Sequence, residues 1–523
     1  MNINKIDTVT STSLSAFAKF SLALLFIVLV FFWSYTTHEG LPNNTFLVLG
    51  AVFGAYMAMN IGANDVANNV GPAVGSKAMT MMWAIIIAAV FEALGAFIAG
   101  GDVVKTIKKG IIDPALISDP EVFIWVMSAA LLSAAIWLNF ATAIGAPVST
   151  THSIVGGVMG AGIAAAGFSI VAWGTMAKIA ASWVISPLLG GIIAAAFLFF
   201  IKKKIMYKKD MVQSAKIIVP YLISVMTFVF STYLILKGLK KLIKLDLLSA
   251  AGIALIIAVI VFVIVKPFIE KAALKLENSR VQVNSLFTIP LIFAAALLSF
   301  AHGANDVANA IGPLAAINDA VVNMGVSSKV EIPFWIMGIG ALGIAVGLAL
   351  YGPKLIKTVG SEITELDQVR AFSIAMAAAI TVIIASQLGL PVSSTHIAVG
   401  GVFGVGFLRE YLDSSESKMI SQMRKRLKRD KKILNSLESE LFKIENIEKK
   451  SKSDYQRIVE LYKLIDNNIE VVKEDKKQFK SAKSVKYVKR DAVKKIIAAW
   501  VITVPAAALL SASVFFMIKG IMS

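Results

Sequence analysis

The stretch Gly62–Gly71, GANDVANNVG, returns almost letter for letter as Gly303–Gly312, GANDVANAIG. Each copy closes an apolar run, and each places an amide and a carboxylate, Asn64-Asp65 and Asn305-Asp306, where the chain is otherwise oily. A second pair of stretches lies outward from it in the same order: PVSTTHSIVGGVMGAG (Pro147–Gly162) and PVSSTHIAVGGVFGVG (Pro391–Gly406). A weaker echo joins VKTIKKG (Val104–Gly110) to IKTVG (Ile356–Gly360). Two half-chains are therefore copies of one unit.

Composition sets the medium in which the copies act. Of 523 residues, 57% are hydrophobic and 16% charged, and the apolar residues fall into runs long enough for a helix to cross a bilayer core. Full spans are expected near 16–37, 44–61, 81–101, 123–143, 179–201, 217–238, 247–265, 286–302, 334–353, 370–388 and 494–519. Two shorter, Gly-rich segments, 153–166 and 396–408, read as half-spans or re-entrant arms. The first span is too long for a signal peptide and lacks a small-residue cleavage site after it. With no cysteine in the chain, structural disulfides, thiol catalysis and thiolate metal sites are excluded.

The net charge of +18 invites a nucleic-acid reading. Most of the excess, however, sits in one hydrophilic insertion: residues 409–495 hold 25 Lys and Arg against 15 Asp and Glu. Within it, Leu434, Leu437, Leu441 and Ile444, then Leu461, Ile465, Ile469 and Val472, follow helical spacing. This predicts a cytosolic helical hairpin, basic because Lys and Arg stay inside. No aromatic platform for bases accompanies the charge. The expected organisation is an extra transmembrane helix in 1–43, repeat 1 in 44–201, connecting helices in 202–285, repeat 2 in 286–408, the insertion in 409–493 and a last helix in 494–523.

The repeated motifs carry two opposite chemistries. A carboxylate inside a membrane costs a few kcal/mol on insertion scales and needs a partner, and neither GANDVAN copy offers a Lys or Arg. An imported cation fits: Asp65, Asp306, the amide oxygens of Asn64 and Asn305, and backbone carbonyls freed at a helix break make an oxygen cage for Na+, or the acids carry a proton. The plainer reading is that Asn-Asp caps helices starting at Val66 and Val307, but a cap gives no reason for Asn68 and Asn309 one turn later. In the second motif Ser149, Thr150 and Thr151, with Ser393, Ser394 and Thr395, would head half-helices starting near His152 and His396. Hydroxyls and free N–H groups at a positive helix end suit a tetrahedral oxyanion. Gly156-x-x-x-Gly160 and Gly400-x-x-x-Gly404 read as helix packing.

Glu92, in mid-span, is an accessory candidate by its position alone and aligns with Gly340; His152 and His396 are paired by the repeat. His302 aligns with Ile61 and so has no place in a strictly two-fold scheme. Paired polar interruptions in two halves point to a carrier site near the midplane. A Ser149–His152–Asp65 hydrolase is disfavoured by the duplication, since one nucleophile suffices for catalysis; no enzyme activity is expected. No GxxxxGK loop is present for ATP.

Two GANDVAN copies, each followed by PVS(S/T)TH, resemble the signature of the PiT family of inorganic phosphate transporters, over roughly 44–201 and 286–408. The resemblance implies an all-α polytopic membrane protein of two inverted helical halves, with broken helices and hairpins meeting at a midplane substrate site. It implies phosphate at Ser149, Thr150, Thr151, Ser393, Ser394, Thr395, Asn68 and Asn309, and Na+ at Asn64, Asp65, Asn305 and Asp306, in the plasma (inner) membrane. No cofactor is expected beyond the co-transported Na+ or H+; expected partners are phosphate, Na+, the bilayer and a second copy in a homodimer, without nucleic acid. Sulfate is the competing oxyanion.

Two features depart from the pattern. The large insertion follows the second hydroxyl motif, whereas the familiar animal members carry theirs between the halves. In addition, counting 153–166 and 396–408 as re-entrant puts Lys105–Lys109 and Lys202–Lys209 on one side and makes the halves parallel, while the resemblance implies inverted ones.

Overall fold

The computed structural model of the chain describes residues 16–41, 43–117, 119–145, 148–238, 245–323, 332–361, 366–416, 418–483 and 490–522. Pro147, which begins the first hydroxyl motif, lies outside them. The described residues are almost all helical. The first half contains α1 (Ala16–Thr37), α2 (Asn44–Asn64), α3 (Ala67–Gly75), α4 (Met81–Ala99), α5 (Gly101–Lys109), α6 (Pro120–Ala143), α7 (Thr150–Ala166) and α8 (Trp173–Ile201). Next come α9 (Met211–Gly238), α10 (Leu247–Ala273) and the short α11 (Arg280–Ser285). The second half contains α12 (Thr288–Asp306), α13 (Ala308–Asn323), α14 (Phe334–Ser361), α15 (Gln368–Gln387) and α16 (Ser394–Glu416); α17 (Lys418–Glu445), α18 (Lys452–Lys483) and α19 (Arg490–Met522) complete the chain.

Eleven stretches among the described residues are long and apolar enough to cross a bilayer, and they coincide with the eleven expected spans. The protein is an integral, multi-pass membrane protein. Polar residues set the helix starts. Asp119 accepts from Glu121 N ahead of Pro120, and Asp246, Asp367, Ser149 and Ser393 each accept from a backbone N–H in the first turn of α10, α15, α7 and α16. The two polar decapeptides are where helices break: α2 gives way to α3 at Asp65–Val66, and α12 to α13 at Val307. Pro72 and Pro313 lie inside α3 and α13 and cannot donate to the carbonyls of Asn68 and Asn309, four residues back.

Loop contacts define two ends of the bundle. At the first end the Phe97 and Phe334 rings stack, Lys237 pairs with Asp102, and Ile112 pairs with Val171. At the second, Gln368 donates to Ser76 O, and Asn278 ties to Lys209 O and Met211 N. This corrects the expected topology. Asp113 N donates to Ile170 O and Ala172 N to Ile111 O, so the chain entering α6 lies beside the chain leaving α7. The two helices are arms of one hairpin that enters and leaves at the first end. Lys105–Lys109 and Lys202–Lys209 consequently lie at opposite ends, and the conflict that made the halves parallel disappears.

Close packing joins one half to the other. A Cβ on Gly62 would lie 1.9 Å from Ile344 O, and one on Gly347 would lie 1.8 Å from Met59 O, so α2 and α14 touch backbone to backbone. The same holds for α12 and α4, where Gly303 meets Glu92 O at 2.1 Å and Gly95 meets Phe300 O at 2.0 Å. Gly160 of α7 meets Ala508 O of α19 at 2.2 Å, and Gly404 of α16 meets Gly191 O of α8 at 2.1 Å. Small residues permit this approach where lipid provides no hydrophobic drive to assemble.

Residues 406–489 form a separate compact unit. In it α17 and α18 pack through Leu441, Leu461 and Ile465, flanked by Leu434, Leu437, Ile444 and Ile458. Arg457 bridges Glu440 at 2.9 Å.

Candidate functional site

The helix breaks bring their polar residues against the turns of the two hairpins. Asn64 and Asn305 act first as pins. Asn64 donates to Thr142 Oγ1 and accepts from Val148 N; Asn305 donates to Ser386 Oγ and Leu390 O and accepts from Val392 N. Each amide thus holds the turn of its own half's hairpin, with both its oxygen and its nitrogen engaged. Ser149 and Ser393 are engaged too, as caps of α7 and α16, accepting from His152 N and His396 N.

The aspartates reach across. Asp65 accepts from Thr150 Oγ1 (2.5 Å) on one oxygen and from Thr395 Oγ1 (2.7 Å) on the other, so it touches both hairpins. Asp306 accepts from Ser394 Oγ at 2.7 Å. Asn68 donates to Thr395 Oγ1, while Asn309 donates to Thr150 and Thr151 Oγ1, crossing to the other half in both cases. Thr151 donates to Val392 O. Neither aspartate caps the helix that follows: Val66 holds the N-cap position of α3 and no side chain bonds there. Capping alone does not account for the motif.

Asp65, His302 and Asp306, all buried, each place a ligand atom within 4.8 Å of the others. Two carboxylates, one from each copy of the motif, therefore meet in the buried interior. Among the described residues neither is paired with Lys or Arg; Asp306 lies 2.8 Å from His302 Nε2. Three buried oxygens, Asp306 Oδ1, Asn68 Oδ1 and Asn309 Oδ1, have no hydrogen-bond partner among the described residues. Unpartnered buried oxygens beside like charges are expensive, and oxygen is the donor that hard cations prefer.

His302 was set aside by the sequence because it lacks a repeat mate, yet it stands in the site. Its Nδ1 lies 2.7 Å from both oxygens of Glu92, which also accepts from Asn69 Nδ2 at 2.8 Å. The readable signal was its i,i+4 spacing to Asp306 on α12. The alignment of Glu92 with Gly340 is corrected as well: Gly303 meets Glu92 O as Gly62 meets Ile344 O, so Ile344 occupies the equivalent place. His152 and His396 meet edge to face, with ring centroids 4.4 Å apart, and pack on Trp183 and Trp500.

The chain resembles known proteins over nearly its whole length. The model of the phosphate transporter family matches residues 61–511. A candidate phosphate permease of Helicobacter pylori strain J99 is 52% identical over 98% of this chain and 97% of its own. Another from Thermococcus kodakarensis is 45% identical over 69% of this chain and 89% of its own. A solved structure described as the sodium-dependent phosphate transporter superposes with a TM-score of 0.73 at 32% identity, covering 91% of this chain and 99% of that one.

Proposed function

The chain belongs to the phosphate transporter family, and from that premise we propose that it is a secondary active symporter moving inorganic phosphate together with Na+. The observation that carries the reading is the meeting of Asp65 and Asp306 within 4.8 Å, with no Lys or Arg as partner and with unpartnered oxygens beside them among the described residues. Burying two carboxylates so close together costs several kcal/mol per charge unless something compensates. A bound cation does so, and the similarity to a sodium-dependent transporter favours Na+.

Phosphate fits beside the cations, between the N-terminal turns of α7 and α16. Ser149 and Ser393 serve there as caps, and Thr150, Thr395 and Ser394 give their protons to the aspartates. These hydroxyls, with Thr151, Asn68 and Asn309, would turn to the anion once cations take their place at Asp65 and Asp306. The positive ends of two helices then attract the anion without a cationic side chain. Cations at the aspartates offset its charge, so the loaded carrier rearranges at low electrostatic cost. Asn64 and Asn305 keep the turns in place.

Radiolabelled phosphate uptake into proteoliposomes, with Na+ and proton gradients imposed separately and sulfate as competitor, tests the reading. Uptake is expected to follow the Na+ gradient and to resist excess sulfate. Equal uptake on a proton gradient without sodium assigns the coupling to protons, and strong competition by sulfate makes the protein a general oxyanion carrier.

A further inference from the structure

The two halves are not equal at the site. The decapeptide pairs Ile61 with His302 and Asn69 with Ala310. The glycine contacts pair Glu92 with Ile344, through Gly303 against Glu92 O and Gly62 against Ile344 O, and they pair Gly95 with Gly347 in the same register. A chain of polar groups, Asn69 to Glu92 to His302 to Asp306, thus stands where the other half has Ala310, Ile344 and Ile61 behind Asp65. Ile61 and Ile344 are fully buried, so the mate of a polar chain is dry packing.

The aspartates differ accordingly. Both oxygens of Asp65 are occupied by threonine hydroxyls. On Asp306, Ser394 and His302 both sit at Oδ2, and Oδ1 has no partner. Thr151, the counterpart of Thr395, donates to Val392 O and leaves that oxygen free. One carboxylate has an oxygen bare of hydrogen bonds; its mate carries a hydroxyl on each oxygen.

We propose that Asn69, Glu92 and His302 are positioning residues that make the two aspartates unequal, so that Asp306 takes the first coupling cation and Asp65 the later one. Groups behind a ligand that fix its orientation commonly set ion affinity in this way. The inference rests on the cation-site reading of the two aspartates.

The test compares Asp65→Asn with Asp306→Asn in purified full-length protein, measuring the Na+ concentration that half-saturates sodium-induced thermal stabilisation in a choline background. In the parent, Asp306→Asn is expected to raise that concentration at least about fivefold more than Asp65→Asn, the lower end of ordinary coupling between sites. The same pair is then compared in the triple variant His302→Ile, Glu92→Ile, Asn69→Ala, which copies the packing of the other half. There the two effects should agree to within about twofold. Glu92→Gln, which keeps the volume but removes the charge behind His302, gives a second background in which the gap should narrow. Equal effects in the parent, or an undiminished gap in either background, overturn the inference while the cation site stands. If neither aspartate variant changes the sodium response, the cation-site reading falls, and this inference falls with it.

Discussion

Thr395 gives its proton to Asp65 and accepts one from Asn68, so a single hydroxyl links the second hairpin to the first broken helix. Thr395→Val keeps the shape and removes both bonds. A hydrogen bond to a charged group is worth roughly 1.5–3 kcal/mol, so this variant should lose about that much stability in sodium-free detergent. Thr395→Ser keeps the hydroxyl and should lose only about 0.8 kcal/mol, one methyl group. Denaturant melts of the two variants separate the cases: equal losses would show that the hydroxyl is idle. At this scale the sequence was legible where a residue type repeats. Asp65, Asp306, Thr150 and Ser394 meet as the motifs suggest. The sequence failed where a role depends on register between distant helices. Helix α13 has 16 residues where α3 has 9, so the alignment fixed by the decapeptide slips before α4 and α14 begin, and Glu92 was mated to the wrong residue.

At the level of elements, the tight helix pairs are set by glycine. Gly303→Ala would drive a methyl to 2.1 Å from Glu92 O, a backbone atom that gives way only if α4 and α12 separate. Overpacking of this kind typically costs about 1–3 kcal/mol. Gly338→Ala, on α14 with nothing within 4 Å of the new atom, should instead gain up to about 1 kcal/mol from helix propensity. Melting temperatures of the two variants should move in opposite directions; a shift of the same sign would deny that the close approach matters. Span positions were read well, because a run of apolar residues is a local property. The hairpin was not. With 24 residues, α6 has the length of a full crossing, and the pairing of 111–113 with 170–172, distant in sequence, is what shows that the chain turns back. Helix α5 lies outside the expected spans because it is short and carries Lys105, Lys108 and Lys109, of which Lys108 is buried against Asp319 at 2.9 Å.

For the whole molecule, the two ends differ in charge. At the first end Lys108 and Lys237 are neutralised by Asp319 and Asp102, while the second carries Lys202, Lys203, Lys204, Lys208 and Lys209 on one short segment. By the positive-inside rule the second end is expected to be cytosolic. Since the chain has no cysteine, single substitutions report cleanly: Lys105→Cys should react with an impermeant maleimide on intact cells and Lys208→Cys only after permeabilisation, and the reverse pattern would invert the topology. The cross-bracing of the halves also governs how the protein is made. Helices enter the membrane in order of synthesis, and folding of large chains ordinarily proceeds from the N-terminus. Here α2 must wait for Ile344 of α14, and α7 for Val504 and Ala508 of α19, which are made far later than the helices they pack against. Until α14 is made the glycine face of α2 stands bare in lipid, and until α19 is made that of α7 does. The first half is therefore braced by helices synthesised after it, and a stop codon ahead of α19 would leave α7 without the backbone its glycines pack against.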